Sequence, residues 1–387
     1  AARHHPTERC CRKMTCLTNL LGLHDAQDGG SSMAINKGAI MYPESGATDK
    51  DSFVKLIVGH TKLMTLRTAL RDALVAEQRP LILGVVGPTG VGKSLLLRLL
   101  EQDLTDHWLA EMHRDPSLIP VASICVPAPE FGSFPWESYY HLVLEAHQEP
   151  LIQAKVLDAE REHLLASPGE SRKATRALRG ALENCLRCRR TQAVLIDEGQ
   201  HLSRATGKVT LADQAGHIVD LARATQTTHV LFGNHELVAM LRLVQDRGHN
   251  VQIHHFAPYH WADEQERGDF ERVVYTLQQA MPFAMQPDLM SLLPYLYRGC
   301  CGCPGILKTW LIDAVMQAIH AGLPTLRQED LEACAIEKSK LLKIAEEIAL
   351  EAQILHAAAA PSLPQPPAAV KKRRVAERRP GRDKVGM

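Results

Sequence analysis

Aromatic residues are scarce in this 387-residue chain, where Phe, Tyr and Trp together make up 5%. A platform that stacks single-stranded bases needs such side chains in number, so that class of surface is disfavoured. Net charge is also missing. The chain has 44 Lys+Arg against 44 Asp+Glu, which excludes a uniformly basic coating protein. No apolar run approaches the roughly 20 residues that span a bilayer, and 15–23 is too short and too polar for a secretory signal. An intracellular, non-membrane protein is expected. The ten cysteines show no framework pattern. Cys185-x-x-Cys188 has no second such pair at ribbon spacing, and Cys300, Cys301 and Cys303 offer only another half-site for zinc. Reduced, partly buried thiols are the simpler reading, and no internal repeat is present.

What is there begins with a charge asymmetry. Residues 371–387 hold eight bases and two acids, so this tail is +6 and the other 370 residues are −6. A Pro/Ala-rich run over 357–370 separates tail from body and reads as a flexible or polyproline linker. At the other end, 1–32 are polar and without helical or strand period. They read as a disordered leader or an over-extended start, with Met33 as the alternative beginning.

Between these ends, 45% hydrophobic composition supports a sizeable core. Leu56, Leu63, Leu66, Leu70 and Leu74 fall on one face of a helix predicted over 55–77. Short apolar runs at 81–86, 119–126, 191–196, 229–232 and 251–256 read as buried strands. Helical patterns separate them, the alternation of a doubly wound parallel sheet. After Tyr259 strand signals stop, and 262–353 read as helices broken at Pro282, Pro287, Pro294, Gly302/Pro304 and Gly322/Pro324. The expected division is a leader over 1–50, an α/β nucleotide-binding domain over 51–260, a helical domain over 261–356, and linker plus tail over 357–387.

The chemistry concentrates at the first strand. Gly87-Pro88-Thr89-Gly90-Val91-Gly92-Lys93-Ser94, followed by Leu95, is a complete phosphate-binding loop between a strand and a helix. Its glycines let backbone N–H groups turn toward a β-phosphate, and the helix N-terminus adds positive potential. Lys93 is expected on the β/γ oxygens and Ser94 on Mg²⁺. About a hundred residues on, Ala193-Val-Leu-Ile196 runs into Asp197-Glu198. This delivers Asp197 to the strand tip as a second Mg²⁺ group and Glu198 as general base for the lytic water. Asn234, at the tip of the 229–232 strand, is expected on the γ-phosphate or that water; a plain helix cap is the competing reading. Lys308, on a helix starting at Gly302-Cys-Pro-Gly305, either reaches the phosphates or is a solvated lysine.

A phosphate loop, an apolar strand ending in Asp-Glu, a polar strand tip and a helical lid together resemble an AAA+ ATPase. The fold class that follows is an α/β AAA+ P-loop NTPase with a parallel five-stranded sheet and a C-terminal all-helical lid. Further segments are similar to the TnsC/TniB family of transposition regulators. They are Phe134-Pro-Trp136-Glu-Ser-Tyr139-Tyr140, Leu195-Ile-Asp197-Glu198-Gly-Gln-His201-Leu202, Leu231-Phe-Gly-Asn-His-Glu-Leu237, His255-Phe-Ala-Pro-Tyr259, Gly302-Cys-Pro-Gly-Ile-Leu-Lys-Thr-Trp310 and the ending Arg379-Pro-Gly-Arg-Asp-Lys-Val-Gly386.

The resemblance implies hydrolysis of ATP with Mg²⁺, a homo-oligomeric ring or filament on double-stranded DNA, and a location on DNA in the bacterial cytoplasm. It also implies a link between a target-selecting protein, such as a TniQ-like one, and a DDE-type transposase docked on the C-terminal tail. It implies an arginine reaching a neighbouring subunit's site as well. The clustered arginines of the family are missing here, and Arg242 or Arg247 remains, Arg247 being the choice. For DNA, Arg172, Lys173, Arg176 and Arg179 lie at or near one helix face, with Arg114 a further candidate; a solvated face or subunit contact is the alternative. The cluster Phe134, Trp136, Tyr139 and Tyr140 suits core packing better than stacking. AAA+ ATPases of replication initiation or secretion, and a nucleotide-gated DNA scaffold with little turnover, are the rival functions. The span after Gln353 is too short for the winged helix that initiation would favour.

Overall fold

The structure is a computed structural model and describes residues 50–152 and 171–359. The proposed leader, the linker and the basic tail lie outside the described residues. Buried strands and amphipathic helices alternate as β1 (Ile82–Val86), β2 (Val121–Cys125), β3 (Ala193–Asp197), β4 (Thr228–Gly233) and β5 (Val251–His255). Around them run α1 (Lys50–Lys55), α2 (Thr61–Val75), α3 (Lys93–Arg114), α4 (Trp136–Ala146), α5 (Ser171–Cys188), α6 (Leu211–Thr225) and α7 (Glu236–Asp246). The five strands form one parallel sheet in the order β2-β3-β4-β1-β5. β1, β3 and β4 are buried nearly throughout because helices cover both faces, whereas the edge strand β5 exposes Gln252 and His255. One face packs Ile82, Val86, Ile124, Val194, Ile196 and Leu231 against α4 to α7. The other packs Leu83, Val85, Leu195, Val230 and Phe232 against α2 and α3.

The predicted 55–77 helix is divided. Phe53 and Leu56 belong to the core of the C-terminal helices, whereas Leu63, Leu66, Leu70 and Leu74 pack beneath the sheet. One straight helix cannot serve two cores. Ile57-Val-Gly59 therefore runs extended, and α2 restarts at Thr61 behind a β-region His60.

Beyond β5 the chain is helical among the described residues, with α8 (Glu264–Gln279), α9 (Leu293–Cys300), α10 (Pro304–His320), α11 (Gln328–Ala333) and α12 (Lys338–Ala359). Phe270, Leu296, Leu307, Trp310 and Leu311 form their core. Pro294, expected to break a helix, instead occupies the first turn of α9, where its missing N–H costs no hydrogen bond. No described helix is long and apolar enough to cross a membrane. Trp136, Tyr139 and Tyr140 are buried in the core, and Trp136 Nε1 donates to Gln214 Oε1 at 2.5 Å.

Two interior histidines couple this fold to pH. His229 on β4 is fully buried, with Nδ1 3.1 Å from Thr227 O, and burial pushes its pKa down to about 4. His60 stands 2.9 Å from the Tyr259 hydroxyl, and burial, aided by Lys62, takes it to about 4 as well. Between the ordinary value of 6.5 and about 4, the unfolded chain binds protons that the folded chain refuses. Stability is complete above pH 6.5 and is lost as pH falls through that window, by about 3 kcal/mol per histidine. A urea midpoint that drops steeply from pH 7 to pH 4.5 is the expected result; a flat profile would show that these rings are not held neutral.

Candidate nucleotide site

All five strands end on one edge of the sheet, and β1, β3 and β4 bring their C-terminal tips together there. A crevice outside the carboxyl ends of parallel strands is where α/β sheets take ligands. From β1 the chain turns through 87–92 into α3. Gly92 heads that helix with φ +117, a left-handed conformation that costs a side-chain-bearing residue. The Leu95 and Leu96 N–H groups donate to Gly92 O at 3.1 and 3.0 Å, which leaves those of Lys93 and Ser94 at the head of α3 without intrahelical acceptors.

Lys93 closes the loop on itself, its Nζ donating to Gly87 O at 2.6 Å and Pro88 O at 3.0 Å. Burial lowers its pKa, and the carboxylates of Glu351, Glu347, Glu198 and Asp197 oppose that shift. The Ser94 hydroxyl donates to Asp197 Oδ2 at 2.6 Å, across 103 positions of sequence. Burial raises the Asp197 pKa, and the neighbouring Glu198 adds to that. The Ser94 hydroxyl, the Glu198 N–H and Lys93 favour its charged form. A hydroxyl and a carboxylate joined beside a second carboxylate suit Mg²⁺, and a loop of inward N–H groups with one ammonium suits a polyphosphate. The residues present fit both groups.

Glu198 takes a left-handed backbone, φ 57, at the end of β3, and its side chain is exposed. Its Oε2 accepts from Gln200 Nε2 at 2.6 Å. Sequence reading assigned Gln200 no role, although its place two residues beyond Glu198 was the available signal. Asn234 sits at the β4 tip, where its Oδ1 accepts the Glu236 N–H at 3.0 Å. It thus satisfies the first N–H of α7 from one residue before the N-cap His235, and it stays beside the loop because Gly87 N–H donates to Gly233 O at 3.1 Å.

The helical region meets the loop backbone to backbone. A Cβ on Gly305 would lie 2.5 Å from Gly90 O, so only glycine allows this approach of α10. Tyr259 N–H donates to Gly302 O at 2.9 Å, and Tyr297 Oη donates to Tyr259 O at 2.9 Å. These bonds tie the His255–Tyr259 segment to the start of α10. Lys308 does not join the loop in this arrangement; its Nζ donates to Val54 O at 3.0 Å and Leu56 O at 2.5 Å.

The remaining candidates are dispersed. Arg247 is exposed just beyond α7, and Arg242 donates to Ile354 O at 2.5 Å. Arg114 is exposed at the end of α3, and Arg176 is exposed on α5. Arg179 is partly buried and held by Glu183 at 2.9 Å, which leaves it less available to a phosphate than its spacing suggested. Arg172 and Lys173 lie on α5, but their side chains fall outside the described residues. No disulfide joins the seven described cysteines, and no described group of three or more His, Cys, Asp or Glu could hold a metal ion. The zinc half-sites expected as the weaker reading are therefore not brought together among the described residues.

Residues 75–241 match the family model described as "AAA domain". No curated protein matches the chain. Similar solved structures include the Aeropyrum pernix ORC2 protein in its ADP form, with 12% identity over 72% of this chain and 70% of that chain and a TM-score of 0.47. The Aeropyrum pernix ORC1 protein in complex with DNA has 17% identity, 70% and 63% coverage and a TM-score of 0.44, so the match spans less than two thirds of that protein. Domain III of the Thermotoga maritima replication initiation protein DnaA has 16% identity, 73% and 94% coverage and a TM-score of 0.43. With its parallel five-stranded sheet and its phosphate loop, the chain has the AAA+ P-loop fold, and residues 75–241 are the part of it that resembles an AAA domain.

Proposed function

We propose that this protein is an ATP-dependent AAA+ regulator of DNA transposition, which oligomerises on double-stranded DNA and links a target-selecting protein to a transposase. The observation that carries the ATPase part is the Ser94–Asp197 contact at 2.6 Å, with Lys93 and Glu198 on either side. The transposition part is supported by segments resembling TnsC/TniB proteins. Three of these, around Asp197, Tyr259 and Gly302, meet at or beside the phosphate loop.

ATP with Mg²⁺ supplies the phosphoryl group and the charge neutralisation that its transfer needs. The chain's own residues do the placing. Lys93 would exchange the Gly87 and Pro88 carbonyls for phosphate oxygens, while Ser94 and Asp197 would hold the metal. Glu198 receives the proton of the lytic water at a carboxylate oriented by Gln200, and Asn234 senses occupancy from the β4 tip. Arg247, exposed beyond α7, serves a neighbouring subunit. On the DNA side, Arg114 and Arg176 are the exposed described candidates, and phosphate contacts of this kind carry no base preference. The tail over 371–387 docks the transposase, and its chemistry is that of a tethered +6 segment.

Electron microscopy with duplex DNA and a non-hydrolysable ATP analogue tests this reading. Rings or filaments enclosing the duplex are expected, and no assembly counts against it. Removing 371–387 should leave ATP hydrolysis intact while reducing transposition in a reconstituted assay; undiminished transposition would remove the tail from the mechanism.

A further inference from the structure

The last described helix, α12, lies across the phosphate loop and places two acidic residues beside it. Thr89 Oγ1 of the loop donates to Glu347 Oε1 at 3.4 Å. One turn on, Glu351 is 1% exposed, and His255 Nε2 at the end of β5 stands 2.8 Å from its Oε1. Neither oxygen of Glu351 receives a well-directed hydrogen bond. Lys93 feels the Glu351 carboxylate more strongly than any other acid, Asp197 and Glu198 included.

The rest of α12 is anchored on both sides of the crevice. Ile344 and Ile348 pack on the core of the helical region, whereas Ile354 and Leu355 pack on the core of the sheet. Arg242 holds the Ile354 carbonyl, and Cys301 Sγ approaches the Leu341 carbonyl at 3.9 Å. The helix thus bridges the two halves of the molecule over the loop.

A buried carboxylate short of donors is expensive, and its stable place is beside a cation. Lys93 and the inward N–H groups of the loop are such a place, and they are the same groups a polyphosphate requires. Two anions cannot share them, because like charges a few ångströms apart away from bulk water repel by several kcal/mol. Glu351 and a bound triphosphate therefore exclude each other.

We propose that α12 is an autoinhibitory strap. Its Glu347 and Glu351 occupy the anion-binding side of the phosphate loop in the nucleotide-free protein, and nucleotide enters by displacing them. The proposal rests on the nucleotide reading of the Gly87–Ser94 loop and adds to it a closed state. Displacement breaks the His255, Thr89 and Arg242 contacts together, so the C-terminal half of α12 leaves the sheet. That half leads directly into the Pro/Ala run and the +6 segment. Nucleotide occupancy would in this way release the anchor of the region assigned to partner docking.

The test uses the full-length protein and a fluorescent ATP analogue with Mg²⁺. Titrations compare the wild type with Glu351→Gln and with the double variant Glu347→Gln/Glu351→Gln. Because apparent affinity scales with the open fraction, the double variant should bind about tenfold more tightly, with the single variant between. Hydrogen exchange gives a measurement that needs no variant: Mg-ATP should increase exchange in the 347–355 amides of the wild type, while the loop and α3 become protected. Equal or weaker affinity in both variants, together with 347–355 exchange unchanged by Mg-ATP, overturns the strap and leaves the nucleotide site standing. Absence of binding by the wild type and by both variants overturns the nucleotide site itself, and the strap with it.

Discussion

Lys93→Ala is expected to abolish nucleotide binding. The side chain is the loop's own cation, and in the structure it is held ready by the Gly87 and Pro88 carbonyls at 2.6 and 3.0 Å. A bound triphosphate would exchange these for charged hydrogen bonds, each worth about 1.5–3 kcal/mol. Losing two of them weakens binding by about 100-fold or more. Alanine also removes the positive charge that Glu351, Glu347, Glu198 and Asp197 act on, so an incoming polyphosphate meets net repulsion. Calorimetric titration with Mg-ATP measures the effect directly, and DNA-dependent assembly should fail in parallel. Undiminished affinity would remove the loop from the nucleotide site. Thermal unfolding of the variant serves as the folding control, because Lys93 sits among partly buried groups.

Glu198→Gln should separate binding from turnover. The amide keeps the length of the side chain and can still meet Gln200, whose Nε2 lies 2.6 Å from Glu198 Oε2. It cannot accept a proton from water. General-base contributions run to about 100- to 10,000-fold, and the loss of phosphate release should fall in that range. Affinity for ATP should change little, because Ser94, Asp197 and Lys93 are untouched. Assemblies on DNA would then persist, since their reset step is blocked. Steady-state phosphate release and the lifetime of DNA-bound assemblies are the two readouts; wild-type turnover in the variant would assign the base elsewhere.

The parts of this site legible in the sequence are those whose chemistry is local. A strand, eight residues of loop and a helix make one contiguous unit, and an apolar run fixes where Asp197 emerges. Strands β1 and β3 were legible for a similar reason, since burial on both faces writes a nearly uninterrupted apolar run. What was not legible depends on elements meeting in space. Lys308 has the right residue type on the right helix, but its ammonium is taken by the Val54 and Leu56 carbonyls, which spacing along the chain cannot reveal. Arg179 shares a face with Arg176, yet Glu183 one turn along claims it. Asn234 was read as a phosphate sensor or a cap, and its bond to Glu236 shows the capping geometry without removing it from the crevice. The acidic residues of α12 drew no assignment from the sequence. Only the tertiary arrangement puts Glu351 under cover beside Lys93.

The bond from Gly87 N–H to Gly233 O joins the first residue of the loop to the last residue of β4, one step before Asn234 and three before α7 begins. From there α7 extends for 11 residues, about 16 Å at 1.5 Å per residue. Leu237, Val238, Met240, Leu241 and Val244 fix it along its buried stripe, and it ends beside Arg247. A helix clamped in this way swings as a rod, with little bending. A shift of the β4 tip on filling or emptying the loop would therefore be carried along α7 and reach Arg247 as a change of direction.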